Sequence, residues 1–164
     1  MGFLIDAGIA VAFAVLLVWA GWGDLRTYRI SNRLVAAFFC LFVAAFAVGP
    51  NPWTQIIGHL GAGILALALG LFLFWRNWIG GGDAKLFAVL AVWAGWPDLI
   101  RLTVVMALAG GVLSALRLWQ GRGASEIATE GESRKRREVP YGVAIALAGL
   151  DFWLRRLAAP AWMN

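Results

Sequence analysis

Two aspartates, Asp24 and Asp83, each lie at the edge of a long apolar run, where a carboxylate is costly to place. Asp83 stands in the stretch Trp78-Ile79-Gly80-Gly81-Gly82-Asp83-Ala84-Lys85, where three consecutive glycines interrupt apolar sequence and deliver an acid, then a base. Glycine has no Cβ, so such a break lets the backbone turn sharply or approach another segment closely. Two carboxylates held near one another do not readily both ionise, and the pair shares a proton. The ionised member can activate a water while the protonated member donates to a carbonyl oxygen. That division of labour hydrolyses a peptide bond without a metal or a covalent intermediate. Read as residues alone, the same two acids could instead serve structure. Asp83 could cap the helix it precedes, and Asp24 could pair with Arg26 or Arg29.

The elements that must hold these acids are apolar helices. Of 164 residues 62% are hydrophobic, ten are tryptophan and only 14% are charged, with a mean hydropathy of +0.77. A soluble domain carries roughly a quarter charged residues, so lipid must cover this surface. Apolar runs span about 3–22, 34–49, 54–75, 84–96, 99–119 and 139–153, with no strand-like alternation. Gly49-Pro50-Asn51-Pro52 and Trp96-Pro97-Asp98 break the chain between runs. The expected fold is all-α: a polytopic membrane protein of about six transmembrane helices, forming one domain over residues 1–164. The amino terminus lacks a basic leader region and carries Asp6, so the first helix is expected to be retained.

Charge orients these spans. Arg26, Arg29, Arg33, Arg76, Lys85, Arg117, Arg122, Arg134, Lys135, Arg136 and Arg137 fall on one side; Arg101, Arg155 and Arg156 fall on the other. Basic residues are retained in the cytoplasm, so both termini are expected to be non-cytoplasmic, in a multi-pass protein of the cell inner membrane. The basic excess is therefore a topology signal, and nucleic acid is not an expected partner. Residues 120–138 form a hydrophilic cytoplasmic loop between helices five and six, and Arg134–Arg137 hold it there. Asp24 and Asp83 then share the cytoplasmic face. A helix over 84–96 is only about 20 Å long, against a hydrocarbon core of about 30 Å. Asp83 should be drawn below the headgroups, into a water-filled cavity covered by protein.

Gly80-Gly81-Gly82-Asp83 resembles the GxGD signature of membrane-embedded aspartyl proteases. Asp24 followed by Arg29-Ile30-Ser31-Asn32 resembles the first-aspartate motif of prepilin peptidases, the type IV leader peptidases. Val139-Pro140-Tyr141-Gly142 resembles the segment opening that family's last helix. The three motifs occur in the family's order across roughly residues 10–150. The resemblance implies an endopeptidase that removes the short leader of a pilin-like precursor at the cytoplasmic membrane face. It implies Asp24 and Asp83 as the catalytic acids, with Gly80 and Gly82 shaping the turn that presents Asp83. Lys85, Arg29, Asn32, Pro140, Tyr141 and Gly142 match motif positions without a catalytic role. Neither a metal nor another cofactor is implied. Long members of the family carry a cysteine-rich insertion and methylate the new amino terminus. Here Cys40 is the only cysteine and the first polar connection is about eleven residues, as in the short forms serving tight-adherence (Flp-type) pili. Archaeal preflagellin peptidases share that short plan. Pilus assembly machinery is a further possible partner.

The remaining polar residues carry blander expectations. His59 has no Cys, His or acidic neighbour to complete a metal site and is read as packing or interfacial. Cys40 is read as a packing residue. Gly58, Gly61, Gly63, Gly110 and Gly111 are expected to let helices pack closely. The competing functional class is a non-enzymatic membrane protein, either a small transporter or an assembly subunit of a secretion or pilus machine. A transporter usually holds its buried acids near the midplane, whereas these two lie toward one face.

Overall fold

Long apolar runs without strand-like alternation favour helices, which bond their backbone within each segment. The computed structural model describes residues 2–27, 29–48, 53–121 and 141–158. Its regular structure is all-helical, in five stretches: α1 (Gly2–Thr27), α2 (Asn32–Val48), α3 (Trp53–Trp75), α4 (Gly81–Gly121) and α5 (Tyr141–Ala158). Three segments have the length and hydropathy of a membrane span: Ala7–Thr27, Gln55–Trp75 and Gly81–Leu116. α2 is a shorter apolar helix. The Gly49–Pro52 break, most of the hydrophilic 120–138 segment and Pro140 lie outside the described residues.

α4 is not one rod. Gly95 has φ 65° and ψ −174°, with Pro97 two residues on; that backbone region is essentially open to glycine alone. Along α5 the arm before Gly95 runs parallel. It starts beside Ile30, whose side chain reaches Gly142, and its Leu90 meets Gly149. The arm after Gly95 runs antiparallel, since Arg101 bonds Asp151 and Gly110 faces Tyr141. The two arms therefore form a hairpin. The break at Gly95 interrupts the i→i−4 ladder, and His59 Nδ1 donates to the Val92 carbonyl at 2.7 Å. The Trp96 ring beyond it lies on Gly58 and Gly61 of α3. His59 is thus a packing residue of the reversal.

α3 and the first arm of α4 pack with their backbones close. A Cβ on Gly63 would run into Val92, and one on Gly70 would sit 3.0 Å from the Ala84 Cβ. α2 buries a stripe of Leu34, Phe38, Phe42 and Phe46 at helical spacing. Aromatic rings fill the centre: Phe13 lies 5.3 Å from Phe38, 4.7 Å from Trp93 and 4.5 Å from Trp153, centroid to centroid. The buried Trp93 indole N–H donates to the Phe38 carbonyl at 3.0 Å. Outside this core, large apolar side chains such as Val18, Ile57 and Ile100 are exposed.

The structure corrects three expectations. Asp24 does not follow the first helix; α1 continues to Thr27, so Asp24 occupies its last turn and the connection to α2 is residues 28–31. No glycine pair or proline interrupts residues 23–27, Arg26 stacks over Trp22 at 4.6 Å, and Thr27 Oγ1 donates to the Gly23 carbonyl at 2.8 Å. Cys40 is exposed on α2, two residues past the buried Phe38 and off the stripe that packs. Gly111 meets nothing within 4 Å, so it brings no helix close, whereas Gly110 accommodates the Tyr141 ring at 3.1 Å from a would-be Cβ.

Candidate active site

Local sequence explains how each acid is presented. α3 ends at Trp75, and Asn77 just beyond it has a φ of 58°, the left-handed conformation that asparagine tolerates. Trp78 N–H donates to the Leu73 carbonyl and Asn77 N–H to the Phe74 carbonyl, the paired bonds of a Schellman stop. Gly80 then serves as N-cap: its carbonyl accepts from Ala84 N–H at 3.1 Å. Asp83 takes the third helical position and its Oδ2 accepts from Gly80 N–H at 3.2 Å. The acid thus reaches back to the cap residue rather than standing at the cap itself.

Asp24 is anchored across the molecule. It is 3% exposed, and its Oδ2 accepts from Val143 N–H of α5 at 3.1 Å. The first N–H groups of a helix have no intrahelical partner and carry the positive end of its dipole. A carboxylate from α1 satisfies one of them here. Gly142 makes this possible, because a Cβ there would lie 2.7 Å from Asp24 Cγ and 2.8 Å from Ile30 Cδ1.

Ile30 sits between the two acids. Its side chain abuts Gly142 beside Asp24, while its backbone oxygen and nitrogen lie 3.0 and 3.3 Å from a would-be Cβ on Gly82, the neighbour of Asp83. The two carboxylates are within electrostatic reach of one another. Ser31 caps α2, its Oγ accepting from Leu34 N–H at 3.3 Å. Asn32 then offers Oδ1 to Lys85 Nζ at 3.0 Å. So Gly82, Gly142 and Lys85 meet the Ile30–Asn32 segment, Gly82 beside Asp83 in the chain and Gly142 against Asp24. Arg29 is exposed there, and its carbonyl accepts from Thr27 Oγ1 at 3.3 Å. Tyr141 turns its ring toward Gly110.

Among the described residues, each carboxylate accepts a backbone N–H through Oδ2. No cluster of three metal-ligating side chains occurs among the described residues. Asp98 and Asp151 lie at the reversal end. Asp151 accepts from Arg101 Nε at 3.0 Å and NH2 at 3.1 Å, and Arg155 bridges to Asp98 at 3.4 Å. These carboxylates are engaged in ion pairs. Ile30 and Ser31 stand inside the Arg29–Asn32 motif, which by itself gives neither a role. Their signals were an apolar residue inside a polar connection and a serine directly before an apolar run.

A family model described as the type IV leader peptidase family matches residues 11–115, which include both acids. The chain belongs to the type IV leader peptidase family. It is similar to the prepilin leader peptidase/N-methyltransferase of Bacillus subtilis, with 29% identity over 93% of this chain and 58% of the relative. The same protein of Dickeya chrysanthemi is 32% identical over 73% of this chain and 41% of the relative. That of Burkholderia pseudomallei is 30% identical over 60% of this chain and 32% of the relative. The chain therefore spans little more than half the length of these leader peptidases at most. No solved structure matches it.

Proposed function

We propose that this chain is an aspartyl endopeptidase that removes the short amino-terminal leader of a pilin-like precursor, with Asp24 and Asp83 as its catalytic pair. The observation that carries the reading is the anchorage of both acids around Ile30, each held through Oδ2 by the N–H of a helix start. The pair works with one shared proton. The ionised carboxylate takes a proton from a water whose oxygen attacks the scissile carbonyl carbon. The protonated carboxylate gives its proton to the carbonyl oxygen. Collapse of the tetrahedral diol returns that proton and breaks the C–N bond as the leaving nitrogen is protonated. Which acid starts protonated is a property of the pair.

The proposal extends to topology and class. Six helical rods cross the inner membrane, with both termini outside the cytoplasm and the acid site at the cytoplasmic face. With a four-residue connection between α1 and α2 and one cysteine in the sequence, the chain is of the short, Flp-type plan. A pilus assembly apparatus is its working partner.

Membranes containing the chain, incubated with candidate precursors and scored by mass, test this. The expected product has lost its leader, and its mass also reads whether a methyl group is added. Asp24→Asn and Asp83→Asn should each slow cleavage about 10²–10⁴-fold while inserting normally. Full activity in either variant overturns the assignment.

A further inference from the structure

α2 and α3 both pack on the first arm of α4, but they meet only toward the reversal. There His59 lies 5.7 Å from the Phe42 ring and 6.3 Å from that of Phe46. Toward the acids the two helices part, leaving a groove of about 540 Å³. Ala36 and Ile64 form its walls, Val89 its floor, and Asn32 and Lys85 its mouth. Along α4 it runs from Lys85 to Val92, about 10 Å or two helical turns.

Resting on the peptidase reading, we infer that this groove docks the apolar helical segment that follows the leader of the precursor. Three features select that occupant. The groove is continuous with the site, since Lys85 at its mouth is two residues from Asp83. Beyond its apolar end α2 and α3 come together at His59, Phe42 and Phe46, so an occupant's polar end faces the acids. Its polarity changes once, at Asn32 and Lys85, as a precursor's does where leader gives way to apolar helix. The walls are outward-facing: Ile64 is 69% exposed, so a helix can enter sideways from the bilayer and lay one face in the groove. Docking there fixes the register of the chain passing the acids, supplying orientation while the pair supplies chemistry.

The test is site-specific photocrosslinking in liposomes, with a benzophenone side chain at Ile64 in the Asp83→Asn chain and precursor added. The control position is Val112, which is exposed on α4 outside the groove. The expected result is a precursor adduct from Ile64 and none from Val112. Ala36→Trp, which fills the groove from an exposed wall position, should cut that adduct. It should also raise KM for the full precursor at least about tenfold, leaving unchanged the cleavage of a soluble peptide spanning the scissile bond. Labelling of lipid alone or of a second copy of this chain overturns the inference. So does equal labelling from Val112, or an Ala36→Trp effect that is absent or equal on both substrates. An adduct without cleavage by the unsubstituted chain would retain the groove and sink the peptidase reading. Aspartate-dependent cleavage without an adduct would do the reverse.

Discussion

Asp24 and Val143 are joined by a hydrogen bond of 3.1 Å from the Val143 N–H to Asp24 Oδ2, so the last turn of α1 caps the start of α5. An acid at the carboxyl end of its own helix opposes that helix's dipole. It is tolerable because a second helix offers its positive end to the same carboxylate. Asp83 has the simpler arrangement, standing in the first turn of its own helix. The two acids thus share one kind of support, and Ile30 spaces them.

Gly142 is the point where this support is tightest. An alanine there would put its Cβ 2.7 Å from Asp24 Cγ, against a carboxylate and a helix start that are both fixed. Gly142→Ala should cost about 1–3 kcal/mol of stability through overpacking. It should slow cleavage further than that loss explains, because Asp24 must swing off Val143. Thermal unfolding in detergent, alongside cleavage by the folded fraction, separates the two effects. An unchanged kcat/KM would show that the contact does not position Asp24.

Gly82 and Gly111 make a matched pair of helical glycines with opposite surroundings. A Cβ at Gly82 would sit 3.0 Å from the Ile30 carbonyl oxygen, while one at Gly111 would meet nothing within 4 Å. Gly82→Ala should push the 29–31 segment away and depress cleavage at least about tenfold, equivalent to about 1.4 kcal/mol in the barrier. Gly111→Ala should leave cleavage alone and stabilise by up to about 1 kcal/mol, as alanine does in a helix interior. Equal behaviour of the two variants would rule out close approach as the reason for Gly82.

Much of this was readable from residue order, and the exceptions have physical causes. Apolar runs announced the helices because runs near twenty residues without alternation suit a helix and not a strand. Gly80–Asp83 announced a presented acid because glycine and carboxylate are both out of place there. The extent of α1 was misread because Asp24 and Arg26 look like loop residues; their cost is met by Val143 and Trp22, partners in other turns or other helices. The role of Ile30 was invisible for the same reason, since its neighbours Gly82 and Gly142 come from α4 and α5. Gly95 was hidden beside Trp96-Pro97, the louder breaker.

Lys85 and Asn32 join the two motif segments through one hydrogen bond of 3.0 Å between exposed side chains. Net contributions of such bonds are about 0.5–1.5 kcal/mol. A double-mutant cycle on precursor cleavage, using Lys85→Met and Asn32→Ala, should return a coupling in that range. Both single variants should keep measurable activity, unlike the aspartate variants. A coupling of zero would mean that the two side chains act separately.

Gly95 carries the last prediction, because two different costs meet there. Its φ of 65° with ψ −174° is a region that costs a residue with a Cβ about 1–3 kcal/mol. The His59 ring also stands 3.0 Å from where that Cβ would be. Gly95→Ala should therefore lower the unfolding temperature in detergent while the surviving folded fraction cleaves normally, since the acids lie at the other end of the arm. Adding His59→Ala distinguishes the causes. If backbone strain dominates, the double variant stays at least as unstable, because the Val92 carbonyl loses its donor as well. Recovery of stability in the double variant would show that crowding by the imidazole, and not the dihedral, is what reserves this position for glycine.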